Sequence, residues 1–352
     1  MDTSPQPDRL IYSHAPIRIL DNGGWTDTWF AKHGTIFNIG VSPYAEVQIQ
    51  VYPRGALPGQ VNLYVENFGD EYAVDLTAPD WQLHPLLEAS IRRVGVPKDV
   101  DIRITLFSRA PSGASTGTSA AVSVALVGAL YRLNSAWVSP HQVAYAAHAV
   151  ETEMLGRQCG IQDQICSAYG GINMIEMPAY PQSHVTQLNL PFSTLWELER
   201  RISLIYLGKS HDSSEIHLKV IAELEDAGPD CCQLEDLRQT AVKSAQALTM
   251  GDFAALGRAM IENTAAQERL HPHLVGPEAR KVIEIAKEFG AAGWKVNGAG
   301  GPGGSITLLS NPDDRLRRNM LRAVVEADPL FQVLPTRLAP AGLKVWEAEQ
   351  CT

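Results

Sequence analysis

A glycine- and hydroxyl-rich segment, residues 109–121 (RAPSGASTGTSAA), separates a strand-like stretch from an apolar helical run. The alternating residues 100–108 predict a strand, and the Ala/Val/Leu run 120–130 predicts a buried helix. A loop at this junction leaves backbone N–H groups free at the start of a helix, where the helix dipole attracts an anion. Gly113 and Gly117 allow positive φ angles and close approach of a phosphate. The segment therefore predicts phosphate binding, with an ordinary capped turn as the alternative.

Hydroxyl side chains follow these glycines. Thr118 and Ser119 are predicted to cap the helix, and a hydroxyl at this place can also reach a phosphate-bound Mg²⁺. The segment is not a Walker A loop, because no lysine follows its glycines. The Gly-Lys-Ser triplet at 208–210 does not form one either, because position 203 is serine rather than glycine.

A second segment, residues 151–171 (ETEMLGRQCGIQDQICSAYGG), contains two candidate functional carboxylates, Glu151 and Asp163. Glu151 lies late in a helix predicted over residues 140–155, and Asp163 follows a glycine-containing turn. Phosphoryl transfer needs one carboxylate that holds Mg²⁺ and a second that accepts a proton from a hydroxyl. The alternative is that both are ordinary surface carboxylates.

A third segment, residues 295–304 (KVNGAGGPGG), has glycine at half of its positions and leads directly into a strand predicted over 304–310. So many glycines indicate that the backbone passes close to a ligand or to another element. A flexible hairpin is the alternative.

Helical and strand patterns alternate in the rest of the chain. Residues 34–52 and 201–208 are strand-like, whereas 231–290 and 312–327 are predominantly helical. This mixture predicts an α/β or α+β architecture. A turn-rich stretch predicts a domain boundary near residue 195.

Composition and charge narrow the possible function classes. The 352-residue chain is 45% hydrophobic and 19% charged, as in globular proteins, and its formal net charge is −10. No cluster of Lys and Arg stands out, which argues against nucleic-acid binding, and no apolar run reaches the ~18 residues of a bilayer span. The five cysteines lack metal-ligand spacing and residues 1–16 lack a secretory signal, so we expect reduced thiols and a cytoplasmic protein. In an acidic chain, backbone amides are the expected phosphate ligands.

Taken in order, the three segments resemble the GHMP kinase superfamily, which includes galactokinase and the homoserine, mevalonate and phosphomevalonate kinases. Residues 15–18 (APIR) with 23–27 (GGWTD) resemble the N-terminal sugar-binding motif of fucokinases and heptose-phosphate kinases. Residues 159–164 (CGIQDQ) and 168–171 (AYGG) are similar to galactokinase and heptose kinases. Residues 208–216 resemble the strand-end loop of the heptose-kinase group. The resemblance covers nearly the whole chain.

The resemblance implies an α+β, two-domain GHMP kinase fold. Residues 1–195 would form a ribosomal-protein-like α/β domain that binds ATP, and residues 196–352 a ferredoxin-like α/β domain. The active site would lie in the cleft between them.

The resemblance also implies roles for individual residues. Asp163 falls on the catalytic aspartate and Arg18 on the arginine that pairs with it, while Ser119 and Glu151 fall on the Mg²⁺ ligands. The implied ATP-binding residues are Pro111, Gly113, Ala114, Ser115, Thr116, Gly117, Thr118 and Ser119. The implied substrate-binding residues are Gly24, Trp25, Asp27, Gly160 and Gly300, and Asp27 is expected to bind sugar hydroxyls.

Three positions depart from the family pattern. Residues 115–119 read STGTS where the family has Gly-Leu-Gly-Ser-Ser, so the hydroxyls remain and the leucine is lost. Pro302 removes one backbone donor from the third segment. Gly24-Trp25 stands where galactokinase has Glu-His, which disfavours galactose itself. Trp25 offers an apolar face for a sugar ring, with a half-buried core aromatic as the alternative.

The implied function is an ATP-dependent sugar kinase that uses Mg²⁺, with ATP as co-substrate. The favoured acceptor is the anomeric C1 hydroxyl of a free sugar or a sugar phosphate, either fucose-like or heptose 7-phosphate-like. A phosphorylated sugar would need a second anion site, for which Arg157, Lys209 and His211 are candidates. The alternatives are a catalytically silent sugar and ATP sensor on the same fold, and a non-sugar kinase of the mevalonate or homoserine type. A monomer or homodimer is expected, with no nucleic-acid or membrane partner.

Overall fold

Two β-sheets organise the computed structural model, which describes residues 6–208 and 214–348. The strands are β1 (Arg9–Asn22), β2 (Gly34–Pro53), β3 (Val61–Val65), β4 (Asp70–Ala73), β5 (Val100–Ser108), β6 (Ile172–Ala179), β7 (Gln182–Gln187), β8 (Ile202–Tyr206), β9 (Gly293–Val296), β10 (Ser305–Leu309), β11 (Gln332–Leu334) and β12 (Lys344–Glu347). The helices are α1 (Pro85–Val94), α2 (Thr118–Leu133), α3 (Pro140–Ala149), α4 (Gln162–Tyr169), α5 (Phe192–Arg201), α6 (Ser214–Ala227), α7 (Cys232–Thr249), α8 (Phe253–Leu270), α9 (Pro277–Glu288) and α10 (Asp314–Ala327). The predicted α+β class is confirmed.

The larger sheet has the order β12-β1-β2-β5-β3-β4, and β6 with β7 extends it from the first half of β2. The long strand β2 therefore pairs β6 at one end and β5 at the other. One face of the sheet is covered by α2, to which the Ser13 hydroxyl donates a hydrogen bond at the Ala125 carbonyl (2.7 Å). A register shift between Pro16 and Ile17 interrupts the pairing of β1 with β2. Such a bulge redirects the strand just before Arg18.

The smaller sheet has the antiparallel order β11-β8-β10-β9. Helices follow β8 and β10 in the chain, which is the β-α-β-β-α-β order of ferredoxin-like folds. The chain crosses from the larger to the smaller sheet through α5, and β12 returns to pair with β1. The division into domains 1–195 and 196–352 stays a prediction.

Both sheets share part of one hydrophobic core. Ile17 and Phe37 from the larger sheet are buried in the same cluster as Leu204 of β8, Ala241 of α7 and Met260 of α8. Burial of these side chains holds the end of β1 against the second half of the chain.

The sequence patterns missed or misplaced several elements. Strand β1 and helix α4 were not predicted, and the helix expected over 140–155 is α-helical only to Ala149, continuing as a π-helical turn over Val150–Met154. Helix α2 begins at Thr118, and its N-cap is Gly117 without a side-chain cap. Capping by Thr118 and Ser119 was therefore wrong, because both already lie inside the first turn.

No helix in the described part of the chain combines the length and apolar character needed to cross a bilayer. Cys159, Cys166, Cys231 and Cys232 are free thiols, and Cys351 lies outside the described residues. The cytoplasmic location stays a prediction.

Candidate active site

A cavity of about 270 Å³ lies where the end of β1, the starts of α2 and α4, and the glycine-rich segment after β9 meet. Residues that the sequence predicted for catalysis, metal and substrate line it together: Arg18, Gly24, Trp25, Asp27, Ser119, Glu151, Gly160 and Asp163. These residues come from four separate stretches of sequence, so only the fold brings them to one place.

An ion pair joins Arg18 and Asp163 at this cavity. The Arg18 Nε lies 2.7 Å from Asp163 Oδ1, and its Nη2 lies 3.2 Å from Oδ2, so the contact is bidentate. Arg18 is 4% exposed, and its Nη1 also donates to the Ser115 carbonyl. Burial lowers the pKa of the Arg18 guanidinium, but the charges of Asp163 and Asp21 outweigh it, and the pKa is raised. Arg18 is therefore a fixed positive charge beside Asp163, which sits in the first turn of α4.

A second, fully buried ion pair supports the first. Lys295 Nζ lies 3.2 Å from Asp21 Oδ1, and each side chain is 1% exposed. Asp21 also accepts a hydrogen bond from the Gly298 backbone N–H (3.2 Å), and its Oδ2 lies 3.9 Å from Arg18 Nη2. Burial lowers the pKa of the Lys295 ammonium, and Asp21 opposes that shift. Sequence reasoning gave neither residue a role. A lysine opening the glycine segment was the available signal.

Asp27 is buried against the start of α4. Its Oδ2 accepts a hydrogen bond from the Gln162 backbone N–H (3.0 Å), one of the N–H groups that a helix start leaves free. Gly160 makes this approach possible, because a Cβ there would lie 2.0 Å from Asp27 Oδ2. Burial raises the pKa of Asp27 to about 6, the Gln162 bond opposes this, and the charge of Asp163 adds to it. No ion pair within the described residues neutralises Asp27, so its free acceptor capacity is available at the cavity.

Two glycine-containing loops face each other beside the Arg18 ion pair. Gly113 and Gly117 have positive φ angles of 73° and 69°, as predicted. A Cβ on Gly117 would lie 3.1 Å from Asp163 Oδ2, so the loop backbone runs directly past the carboxylate. A Cβ on Gly298 would lie 3.1 Å from the Cβ of Ser115, so the segment after β9 contacts the same loop. Glycine backbone thus borders this site from both halves of the chain.

The rest of the loop holds its shape through backbone contacts. The Ala114 N–H donates to the Pro111 carbonyl (3.3 Å), and the Arg18 N–H donates to the Thr116 carbonyl (2.9 Å). The hydroxyls of Thr116 and Thr118 lie 3.3 Å apart. The loop is therefore tied to β1, and it leads into the N-terminus of a 16-residue helix.

Two family models match the chain: GHMP kinases N terminal domain over residues 85–171, and GHMP kinases C terminal over residues 241–327. The chain belongs to the GHMP kinase family. The first matched range contains the glycine loop, Glu151 and Asp163, and the second contains Lys295 and the glycine segment that follows it. The predicted two-domain GHMP kinase fold is confirmed.

Individual relatives agree with this assignment. A D-glycero-alpha-D-manno-heptose 7-phosphate kinase from Campylobacter jejuni subsp. jejuni is 24% identical over 344 residues, which cover 96% of this chain and 99% of that protein. A mevalonate kinase from Pyrococcus abyssi is 27% identical over 373 residues, 97% and 99% of the two chains. The crystal structure of a D-glycero-D-manno-heptose 1-phosphate kinase from Bacteriodes thetaiotaomicron matches with a TM-score of 0.73 at 21% identity, over 97% of this chain and 100% of that chain.

The predicted metal ligands of this GHMP kinase border the same cavity. Glu151 is 7% exposed, and burial raises the pKa of its carboxyl group. Its Oε1 accepts a hydrogen bond from Gln164 Nε2 (2.9 Å), and its Oε2 lies 3.5 Å from Arg157 Nη1. Gln164 Oε1 is buried and has no hydrogen-bond donor among the described residues. Ser119 lies on the exposed side of the first turn of α2.

Trp25 is half-buried and also forms part of the cavity wall. Its ring lines the cavity and packs edge-on against His217, with ring centroids 5.5 Å apart. Its Nε1 is buried without a hydrogen-bond acceptor in the described part of the chain. A non-glycine residue with φ of 77° is costly, so the surrounding fold holds Trp25 in place.

Of the predicted site residues, Gly300, Arg157 and the ATP-binding residues 111–118 do not line the cavity. Gly300 lies behind it, because a Cβ there would lie 2.3 Å from the Leu274 carbonyl oxygen, and Gly298 with Ala299 lines the cavity instead. Arg157 is engaged with Glu151 rather than with the cavity. Lys209 and His211 lie outside the described residues.

Proposed function

We propose that this GHMP kinase transfers the γ-phosphoryl group of ATP to a hydroxyl of a sugar. The observation that carries the proposal is the bidentate Arg18–Asp163 pair. It lies between a glycine loop at the start of α2 and a buried carboxylate, Asp27. The glycine loop at a helix N-terminus suits phosphate groups, and the Asp27 carboxylate suits an alcohol with several hydroxyls.

Transfer needs a proton acceptor and fixed positive charge near the attacking oxygen. In the proposed reaction, a sugar oxygen forms a bond to the γ-phosphorus while the bond to the bridging β,γ-oxygen breaks and ADP leaves. Asp163 accepts the hydroxyl proton. Arg18 holds the Asp163 carboxylate in place through two hydrogen bonds and stabilises negative charge on the sugar oxygen. Full removal of the proton by Asp163 and simple orientation of the hydroxyl use the same geometry. The two differ only in how far the proton moves.

The residues present fit Mg²⁺. Hard oxygen ligands suit this ion, which usually takes one or two protein ligands and completes its shell with phosphate oxygens and water. Ser119 and Glu151 would hold it, and the orphaned Oε1 of Gln164 beside Glu151 suits a metal-bound water. The described residues contain no group of three or more His, Cys, Asp or Glu side chains that could hold a metal by themselves. When bound, the ion neutralises charge on the phosphates.

The proposed acceptor is the anomeric C1 hydroxyl, the most acidic hydroxyl of a reducing sugar. Asp27 would accept hydrogen bonds from other hydroxyls of the ring, and Trp25 would pack against its C–H surface. The relatives named for heptose phosphates support a sugar or sugar phosphate of this class. A fucose-like free sugar and a heptose 7-phosphate-like sugar are both candidate substrates. The oligomeric state, monomer or homodimer, stays a prediction.

A second candidate is a kinase for a non-sugar alcohol, which the similarity to a mevalonate kinase favours. A third is a catalytically silent sensor that binds sugar and ATP. Presence of Arg18, Asp163, Glu151 and Ser119 in one cavity supports chemistry over sensing.

The test is a coupled ADP-release assay with Mg·ATP across free sugars, sugar phosphates, mevalonate and homoserine. We expect turnover with one sugar class, and a rate lower by about 10² or more with Asp163→Asn at matched protein concentration. Turnover with mevalonate alone would replace the sugar proposal. No turnover, together with a raised melting temperature in sugar plus ATP, would favour the sensor.

A further inference from the structure

A second and larger cavity, of about 760 Å³, lies where β2 of the larger sheet comes near β8 and β11 of the smaller one. Its walls come from β2, α5, β8, α10, β11 and the segment that follows β11. None of its lining residues lines the candidate active site. The volume falls within the range of about 300–1,000 Å³ that is usual for small-molecule sites.

Arginine side chains dominate its charge. Arg109, Arg200, Arg317 and Arg337 line it, against two carboxylates, Glu46 and Glu199. Arg200 and Arg337 are paired with carboxylates, so Arg109 and Arg317 against Glu46 leave this cavity, called the arginine cavity below, a small positive excess within a chain of net charge −10. Positive groups concentrated in an acidic protein attract an anionic ligand.

Two of the four arginines already form ion pairs with carboxylates. Arg200 pairs with Glu197 and Asp314, and Arg337 pairs with Glu199 (3.0 Å). These contacts fix the walls.

The other two arginines have no carboxylate partner among the described residues. Within the described residues, Arg109 and Arg317 have no ion pair, and the Nε of Arg317 is buried without an acceptor. Since neither guanidinium has a carboxylate partner in the described part of the chain, their N–H groups can serve as charge-assisted donors to an anion in the cavity.

Aromatic and hydroxyl groups complete the lining. Trp196 is 58% exposed although it borders the cavity, and Tyr44 lies in the wall formed by β2. An exposed tryptophan beside arginines suits a flat ring linked to a phosphate. Ser203 and Thr336 add hydroxyls that can bond a sugar.

We propose that the arginine cavity binds a nucleoside phosphate at a site separate from the catalytic one. Arg109 and Arg317 bind the phosphate groups, Trp196 stacks on the base, and the hydroxyls contact the ribose. Arg109 lies two residues before Pro111, at the base of the glycine loop, so this site also touches the element that carries the candidate ATP site. The proposal does not depend on which alcohol the kinase phosphorylates.

GDP is the probe, titrated into the full chain without Mg²⁺ while tryptophan fluorescence is recorded. The difference between wild type and Trp196→Phe isolates the signal of Trp196. We expect saturable quenching that Arg317→Gln weakens by about tenfold or more in Kd, the scale of one lost charge-assisted bond. Arg93→Gln is the matched control, since Arg93 is a half-exposed arginine paired with Glu153 outside the cavity.

Gly117→Ala separates the two nucleotide sites, because it alters the glycine loop and leaves the arginine cavity lining unchanged. Quenching that survives Gly117→Ala but is weakened by Arg317→Gln supports the proposal. Quenching lost in Gly117→Ala and kept in Arg317→Gln overturns it. Should Arg317→Gln unfold, Arg317→Lys keeps the charge without the planar fork and is expected to weaken GDP binding less.

Two further arms test the ligand class. Ribose 5-phosphate that quenches as tightly as GDP would show that the base is not recognised and would overturn the nucleoside assignment. A dimer in sedimentation that Trp196→Asp dissociates, with no GDP quenching, would show that a second copy of the chain covers this surface instead.

Discussion

Lys295 Nζ and Asp21 Oδ1 lie 3.2 Å apart with both side chains 1% exposed, and this contact joins β9 of the smaller sheet to β1 of the larger one. Asp21 Oδ2 in turn lies 3.9 Å from Arg18, which holds Asp163 at 2.7 Å. Charges therefore alternate from the second half of the chain to the proposed proton acceptor. The position of Arg18 depends on this buried pair as well as on Asp163 itself.

Lys295→Met is expected to lower the free energy of unfolding by about 3–5 kcal/mol, because it leaves the Asp21 charge buried without its partner. Asp21→Asn combined with Lys295→Met should recover a large part of that loss in urea denaturation. Turnover should stay low in the double variant, since Arg18 loses the neighbouring carboxylate of Asp21. Additive losses in the two single variants would mean that the pair does not act as a unit.

Asp163→Asn is expected to lower kcat by about 10² or more while ATP binding is retained, because only the proton acceptor is lost. Single-turnover kinetics and ATP titration measure the two effects separately. Asp236→Asn, an exposed carboxylate paired with Arg269, is the control and should behave as wild type. Unchanged turnover in Asp163→Asn would remove this residue from the mechanism.

Asp27→Asn should make the protein more stable and less active at pH 8. Burial raises the pKa of Asp27 from 3.8 to about 6, so the folded state binds this proton more tightly than the unfolded state. The carboxyl group's contribution to stability is present below pH 3.8 and is lost as the pH rises through about 6, a difference of at most about 3 kcal/mol.

Urea denaturation from pH 4 to 8 measures this effect. The free energy of unfolding of Asp27→Asn should exceed that of wild type by an amount that grows with pH. Its kcat/KM for the sugar should be lower than that of wild type, because an amide replaces an acceptor-only carboxylate. A constant difference across this range would show that Asp27 does not titrate within it.

Glu151→Gln and Ser119→Ala should each raise the Mg²⁺ concentration needed for half-maximal turnover, because each removes or weakens an oxygen ligand. Glu153→Gln is a matched control, two residues from Glu151 and paired with Arg93 at the surface. A Mg²⁺ dependence equal to that of wild type in both variants would refute the metal assignment.

Gly160→Ala should displace Asp27 and raise the KM for the sugar with little change in that for ATP, because the new Cβ would lie 2.0 Å from Asp27 Oδ2. Gly156→Ala, where an added Cβ meets nothing within 4 Å, reports the cost of a nearby glycine change without that clash. Equal sugar KM values in the two variants would contradict the role given to Gly160.

Local patterns predicted the elements whose signals lie in short stretches of sequence. Strand β5, the glycine loop and helix α2 follow from alternation, small residues and an apolar run that adjoin one another. The segments at 151–171 and 295–304 were also recognised from residue types alone. The family resemblance supplied the expected pairing of Arg18 with Asp163, and both side chains lie within hydrogen-bond distance.

Tertiary structure alone decided which distant groups share an environment. No local pattern predicted that Lys295 and Asp21, 274 residues apart, would be buried together, or that Gly298 rather than Gly300 would reach the cavity. The sequence by itself determined the mixture of helices and strands and the chemistry-bearing segments, because these depend on neighbouring residues, and the family resemblance narrowed the class to α+β. The buried charge network and the arginine cavity depend on contacts between two sheets, and such contacts exist only once the chain has folded.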